Sequence, residues 1–530
     1  MMKKSIVIAV TLIIHATLYG QNVLYKGTVI DAEYHTPVAY AAVYIQNTTY
    51  GSVADNVGEF SFTAPDSLKN VRLVIARQEF KIKYLPLDNQ ISTDLIIALQ
   101  PDNIEQRAPA FLDNLGGGKS NLVALLSKAT LLVINDWIPL GNPETNKFDF
   151  GRIQTFPTYN LVEGLRLRAG VASNSRFSPH LFLKGYVAYG FGDQQFKYRG
   201  EAIYSFTKKA YHADEFPKNN LSLVYEKDLY SPGEIHPRSL NDLLLITYRR
   251  SENEATYRNF AEINYEREYK NGLAHTVWIR GARLVPQDEL RFENQIDDMI
   301  FVDDALNTAE VGLLFRYSLR EAYVQQKRRR KPIEMTSPVF FLSHMFGKYD
   351  YFGEVKPWHR SEFSLQKRFL LGSAGRLDAV GEVMKVWNRV PFPLLVYPNQ
   401  RVRHHIENNA FFLNRALEFM ADEQYTLRTT FVGDDLLLAK IPLLDLLQMK
   451  ELISLRASYG RLSDRNDPGQ SPNLYTFPAA SYKYGSAPYV EGAIGITNLL
   501  GFLRVEYVHR FTYRDLPDAL LGGIRVDVTL

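Results

Sequence analysis

Leu165-Arg166-Leu167-Arg168-Ala169-Gly170-Val171 puts Leu, Leu, Ala and Val at odd positions and Arg, Arg and Gly at even ones. A strand turns successive side chains to opposite faces, so this stretch has one apolar face and one charged face. The same period returns downstream. Val311, Leu313, Phe315, Tyr317 and Leu319 oppose Glu310, Gly312, Arg316, Ser318 and Arg320. Ile453, Leu455, Ala457 and Tyr459 oppose Ser454, Arg456, Ser458 and Gly460. Leu503, Val505 and Tyr507 oppose Arg504 and Glu506. Ile524, Val526, Val528 and Leu530 oppose Arg525, Asp527 and Thr529. A soluble sandwich turns the apolar face inward; a membrane barrel turns it to lipid and lines its lumen with the charged face. Alternation alone fits both.

Three further features select the barrel. Met1 to Gly20 reads as a secretory signal peptide: Lys3 and Lys4, an apolar run from Ser5 to Leu18, then a small residue. The alternating segments run about 10 to 14 residues, enough to cross a bilayer at a tilt. The chain ends on an apolar strand residue, Leu530. The composition agrees, with 32 Tyr and 31 Phe but only 4 Trp. There is no Cys, which excludes a lipoprotein anchor, disulfides and thiol chemistry. Lys plus Arg is 61 against 58 Asp plus Glu, so net charge points to no nucleic-acid partner.

The expected fold is therefore all-β, in two parts. Residues 22–100 carry short strands broken by turns, such as His35-Thr36-Pro37 and Asp55-Asn56-Val57-Gly58, and predict a sandwich of about seven strands. Residues 154–530 predict a transmembrane antiparallel barrel of about sixteen strands, an even number. Its strands are placed near 155–172, 180–192, 195–208, 219–230, 240–251, 255–269, 272–285, 308–320, 335–349, 357–371, 375–388, 423–436, 451–464, 486–497, 500–513 and 522–530. Short turns such as Asp193-Gln194, Lys270-Asn271 and Gly372-Ser373-Ala374 are assigned to the periplasmic end. The long connections 286–307, 389–422 and 465–485 are assigned to the outside. A connector, 101–153, joins the parts and carries a helix at about 121–134, capped by Ser120. Gly116-Gly117-Gly118-Lys119-Ser120 invites a phosphate-loop reading, but the motif's first Gly falls at Asp113 and no buried strand precedes it.

Residue patterns in the first part resemble the carboxypeptidase-regulatory-like domain: Gly27-Thr28-Val29-Ile30-Asp31, Pro37, Val43, Ile45, Asp55, Gly58, Phe60 and Phe62. The resemblance implies a non-catalytic periplasmic accessory, either a docking module for a glycan, peptidoglycan or partner protein, or a stabilising cap. The rest resembles a family of uncharacterised Bacteroides-type outer-membrane proteins in which that domain precedes a large barrel. The residues concerned are Asn160 to Arg168, Pro391 to Leu395 with Pro398-Asn399-Gln400, Glu418-Phe419 with Asp422, Lys440 to Leu444, Pro488 to Glu491 and Gly495 to Asn498. The compact connector departs from that family's pattern.

A more distant likeness is to the surface-antigen superfamily, whose sixteen-stranded barrels assemble or secrete proteins. It implies a long loop after strand eleven that folds into the lumen and bears an Arg. Here that loop is 389–422, with Arg401, Arg403, Glu418 and Asp422. No plug domain follows the sandwich, which excludes a TonB-dependent transporter. The lumen and gate candidates are Arg166, Arg168, Arg316, Arg401, Arg403, Glu418 and Asp422. Arg504, Glu506 and Arg525 are expected to join lumenal salt bridges.

His404-His405 with Glu407 is no convincing metal site, since adjacent side chains on a strand point apart. The basic run Lys327 to Lys331 reads as a solvated turn or a contact for phosphate head groups or a partner. No nucleophile elbow, paired-carboxylate motif or zinc helix is present, so no enzyme activity and no cofactor are expected. The expected setting is outer-membrane lipid with the first domain in the periplasm. The expected role is transport, translocation or assembly; the alternative is an anchored module that holds a periplasmic partner or glycan.

Overall fold

A computed structural model gives the structure. It describes residues 22–100 and 137–528, less internal stretches, chiefly 231–253, 400–409, 434–437 and 441–448. The expected signal peptide, the 116–120 turn and the connector helix lie outside the described residues. The chain forms two compact units: Met1–Ser127 with Arg320–Ser337, and Lys128–Leu319 with Pro338–Leu530.

The first unit contains the expected seven-stranded sandwich. Its strands are β1 (Asn22–Asp31), β2 (Ala42–Ile45), β3 (Gly51–Val53), β4 (Glu59–Pro65), β5 (Arg72–Ala76), β6 (Lys83–Pro86) and β7 (Leu95–Leu99). One sheet has the order β4-β1-β7 and the other β3-β2-β5-β6. Val29, Val43, Ile45, Phe60, Ile75 and Leu99 form the core. The residues that carried the resemblance shape this fold. Asp55 accepts the amides of Val57 and Glu59 at 3.0 and 2.8 Å, closing a turn whose Gly58 sits at φ 76°. A Cβ at Gly27 would meet the Leu95 carbonyl oxygen at 2.2 Å, so the close β1–β7 pairing needs glycine there.

In the second unit the sheet starts earlier than the expected boundary at 154. β8 (Trp137–Pro139) and β9 (Phe148–Gly151) come from the segment assigned to the connector. They are too short, and β8 too proline-bound, to show alternation. β10 (Thr158–Asn160), β11 (Gly164–Ser173), β12 (Leu181–Gly190), β13 (Phe196–Ser205), β14 (Asn219–Tyr230), β15 (Glu254–Glu268) and β16 (Leu273–Asp288) follow. A separate hairpin comes next, β17 (Phe292–Ile296) with β18 (Met299–Asp303), then β19 (Leu306–Ser318). β20 (Ala322–Gln325) and β21 (Arg330–Glu334) form a hairpin that belongs to the first unit, where β20 runs beside β3. The hairpin falls between the expected strands at 308–320 and 335–349 and takes in the end of the basic run Lys327 to Lys331; Lys327 itself lies outside the described residues.

The remaining strands are β22 (Val339–Tyr351), β23 (Glu354–Leu370), β24 (Gly375–Val386), β25 (Phe419–Met420), β26 (Glu423–Gly433), β27 (Lys450–Arg461), β28 (Tyr482–Lys483), β29 (Tyr489–Leu499), β30 (Leu503–Arg510) and β31 (Gly522–Val528). One 18-stranded sheet runs β10-β11-β12-β13-β14-β15-β16-β19-β22-β23-β24-β26-β27-β29-β30-β31-β8-β9. Pairing of β9 with β11 closes it into a barrel. Every expected barrel segment but one is a strand of this sheet. The exception, 240–251, lies outside the described residues. β14 pairs directly with β15, which reverses the expected up-and-down sense of the strands before β15. The Asp193-Gln194 turn therefore lies at the end of the long connections, opposite the short turn Gly372–Ala374.

The two faces of the wall are chemically distinct. Outward side chains are apolar and exposed: Ile279, Leu342, Phe363, Leu427, Ile453, Ile494 and Ile524. Exposed aromatics ring both ends, with Tyr204, Phe206, Tyr317, Phe340 and Phe369 at one and Phe191, Phe196, Phe352, Trp387 and Phe511 at the other. An apolar band between aromatic girdles is the exterior of a membrane barrel. A soluble fold would leave this area in water at a large cost.

Candidate functional site

Inward positions carry the charges. Arg166 pairs with Asp228 at 2.7 Å and with Glu163 at 3.2 Å. Lys197 pairs with the same Glu163 at 2.9 Å. Glu163 is set by its own turn: Asn160 accepts its amide at 2.7 Å and donates to its carboxylate at 2.6 Å. Glu226 bridges Arg199 and Arg258, each at 2.7 Å, and Glu262 takes Arg280 at 2.6 Å. Arg168 stacks 3.7 Å over the Tyr186 ring, and Arg316 lies 5.6 Å from the Phe341 ring. Farther round the wall, Arg428 of β26 pairs with Glu382 of the neighbouring β24 at 3.0 Å. Glu506, fully buried, takes both Arg504 of its own strand and Arg525 of the next, as expected of lumenal charges. Such pairs satisfy charges that a low-dielectric interior would otherwise reject.

The described limbs of the connection 387–422, residues 387–399 and 410–422, fold into this charged interior. Its rising limb turns through a short helix, Phe392–Leu394, and its residues Val390, Phe392, Leu395 and Val396 are buried. Its returning limb buries Phe411, Phe412, Leu413, Leu417, Phe419 and Met420. The limbs are tied together, Phe411 donating its amide to the Asn399 carbonyl at 2.7 Å and Val396 bridging Ala421. The returning limb meets the wall at β29. Both oxygens of the fully buried Glu491 accept backbone amides, from Phe412 at 2.8 Å and Leu413 at 2.9 Å. Arg456 lies 3.8 Å from Glu491.

Both acidic candidates of this loop find wall or loop partners. Glu418 pairs with Arg510 of β30 at 2.7 Å and accepts the Arg415 amide at 2.7 Å. Asp422 accepts from Asn466 at 2.8 Å and from the Ser463 hydroxyl. Arg401 and Arg403 lie outside the described residues, as do His404, His405 and Glu407. The sequence reading missed Glu491 and Arg510; the first stands in a stretch quoted for the resemblance, and the second shares inward parity with Arg504 and Glu506.

The other long connections pack at the same end. β25 pairs in parallel with β28, from the connection 462–488. Tyr475 of that connection stacks on Phe292 at 5.1 Å and lies 6.2 Å from the Phe392 ring. Its hydroxyl donates to Asp303 at 2.6 Å. Burial and this carboxylate push that hydroxyl above its ordinary range, which keeps it a donor. With Leu290, Leu394, Leu417 and Met420, these rings form a packed apolar core at the mouth of the barrel.

The seam is the opposite case. β15 and β16 pair along their length from Glu254–Asp288 to Glu268–Ala274. At the closure, β9 holds β11 through Val171–Phe150, Ala172–Asp149 and Ser173–Phe148, and β10 holds its other end through Thr158–Arg166, Tyr159–Leu165 and Asn160–Gly164. β8 reaches β9 only through Trp137–Gly151, Ile138–Phe150 and Pro139–Asp149. A Cβ at Gly170 would meet the Gly151 carbonyl oxygen at 2.1 Å, so this approach also needs glycine.

Residues 141–383 match the model of a family of unknown function, DUF5686, in its C-terminal domain. The DUF5686 match opens ahead of β9 and ends in β24, so it holds Arg166, Arg168 and Arg316 and stops before Glu418 and Asp422. Residues 25–107 match the CarboxypepD_reg-like domain. Among solved structures, BamA from Haemophilus ducreyi lacking POTRA domains 1–3 is 9% identical, with 84% of this chain and 90% of that chain covered and a TM-score of 0.43. CdiB from Acinetobacter baumannii is 12% identical, covering 70% of this chain and 58% of that one, with a TM-score of 0.36. OmpT, an outer membrane protein of Vibrio cholerae, is 10% identical, covering 62% and 88%, with a TM-score of 0.28. No curated protein matches the sequence.

Proposed function

We propose that the chain is an integral outer-membrane barrel that transports, translocates or assembles a substrate, with 387–422 as the element that closes its lumen. The observation that carries this reading is the double acceptance of the Phe412 and Leu413 amides by Glu491, which fixes the returning limb against the wall. A passive anchor needs no such fastening. The short pairing at the β8–β9–β11 seam supports passage or release at the wall as well as through the lumen. In this reading the signal peptide directs export and the sandwich is the periplasmic accessory. No catalytic step is part of it. Single-channel recording in planar bilayers tests it: the full chain should be closed, and deletion of 410–417 should produce discrete conductance. A barrel still closed after that deletion would overturn the gated reading.

A second reading, an anchored binding module, has one observation in its favour. The β20–β21 hairpin, sequentially inside the barrel, is built into the same compact unit as the sandwich. Pull-down from outer membranes with and without residues 22–100 tests it; identical partner sets would count against it.

A further inference from the structure

The most exposed apolar strand of the described residues is not in the barrel wall. β18 shows Met299, Ile300, Phe301 and Val302 to the outside in succession, at 59%, 63%, 43% and 55% exposure. A wall strand exposes every second residue; this one exposes apolar side chains on both faces. Its partner β17 is different, with Phe292 and Asn294 buried and polar Gln295 outward. The hairpin is rigidly based. Phe292 lies in the mouth core, the Glu293 carbonyl accepts the Thr476 amide at 2.7 Å, and Asp303 accepts the Tyr475 hydroxyl. A floppy loop could hide four apolar residues by collapse; this one holds them out.

Their neighbours show what covers them. Asp303 also accepts the amide of Phe352 at 3.2 Å, so the hairpin stands against the tight β22–β23 turn. There Phe352, Val355 and Phe346 are exposed as part of the outward apolar face, Val355 at 65%. The apolar strip of β18 continues the lipid-facing wall at its girdle. Lys348, outward and exposed two residues from Phe346, supplies a cation at the same rim. Apolar and aromatic side chains beside a lysine that reaches water are the composition of the interfacial layer.

We propose that the β17–β18 hairpin is a membrane-surface foot whose Met299 to Val302 strip seats in the head-group layer of the bilayer at the long-connection end. It ties the mouth core, through Phe292 and Asp303, to the lipid surface, so that the seal of the lumen is braced against the membrane. The proposal uses only the placement of the barrel in a bilayer and does not depend on gating.

The absence of cysteine makes the test clean. Full chains bearing Ile300→Cys or Val302→Cys are labelled with an environment-sensitive fluorophore and reconstituted in phosphatidylethanolamine–phosphatidylglycerol vesicles. Quenching by spin-labelled lipid is compared with quenching by aqueous iodide. Ile494→Cys serves as the wall reference and Gln470→Cys, exposed on the connection 462–488, as the aqueous reference. The foot predicts lipid quenching at 300 and 302 within about twofold of the wall reference, and iodide quenching several-fold below that at 470. Iodide access equal to that at 470 would overturn it. Shielding from iodide without lipid quenching would also overturn it, and would assign the strip to a protein, either a second copy or an added strand. Loss of lipid quenching at 494 would instead refute the barrel's placement in the bilayer.

Discussion

Glu418 of the in-folded loop and Arg510 of β30 are 2.7 Å apart, with side-chain exposures of 2% and 0%. Neither charge has water to fall back on. Removing one partner of a buried pair leaves the other charge unpaired, at a cost of about 3–5 kcal/mol. Glu418→Gln is therefore expected to free the returning limb while the barrel, closed by its own strands, persists. The expected readout is intermittent conductance in planar bilayers from a protein that still shows the heat-dependent gel shift of a folded barrel. Silent traces from folded Glu418→Gln would dissociate the pair from closure.

Glu491 is the second fastening. Glu491→Ala removes the acceptor for both the Phe412 and Leu413 amides, leaving two buried donors at about 1–3 kcal/mol each. The returning limb should then visit solvent. Limited trypsin digestion of purified full-length protein is expected to cut after Arg415 several-fold faster in the variant than in the wild type. Equal rates would mean that the limb is held by apolar packing alone.

The seam makes a separate prediction. Val171 and Phe150 are direct partners across it, so Val171→Cys with Phe150→Cys should form a disulfide on mild oxidation. Gly170→Val should prevent that crosslink, because its side chain would occupy the Gly151 carbonyl position. Gel mobility with and without reductant reads both. A crosslink that forms equally well in the triple variant would show that β9 can shift without leaving β11.

The outward face predicts an energy. Ile494 stands at 65% exposure in the wall. On a water-facing surface Ile494→Arg would be almost neutral, whereas near the mid-plane of a bilayer it costs about 2–4 kcal/mol. Folding free energy measured in lipid vesicles by denaturant titration decides between the two, and the larger value is expected.

The wall was legible because alternation is dictated residue by residue: Arg166, Arg316 and Arg525 all lie inward as their parity requires. The sandwich was legible through its turns. The seam was not, because β8 and β9 are too short to carry a period. The direct pairing of β14 with β15 was not legible either, because alternation marks a strand but does not name its neighbour. The in-folding of 389–422 was read only from resemblance, yet a physical signal was present. Val390, Phe392, Leu394, Leu395, Phe411, Phe412 and Leu413 are too apolar for a loop standing in water. The role of Glu491 had no local signal, because its ligands are backbone amides from a segment 78 residues away.

The central claim is that the returning limb of 387–422 lies inside the barrel. Leu413 and Ala493 pack in one cluster, the first on that limb and the second on the inner wall. Leu413→Cys with Ala493→Cys, oxidised in intact outer membranes and read by non-reducing gel mobility, tests it most directly. The account predicts near-complete intramolecular crosslinking; two free thiols, both open to a membrane-impermeant alkylating reagent, would contradict it.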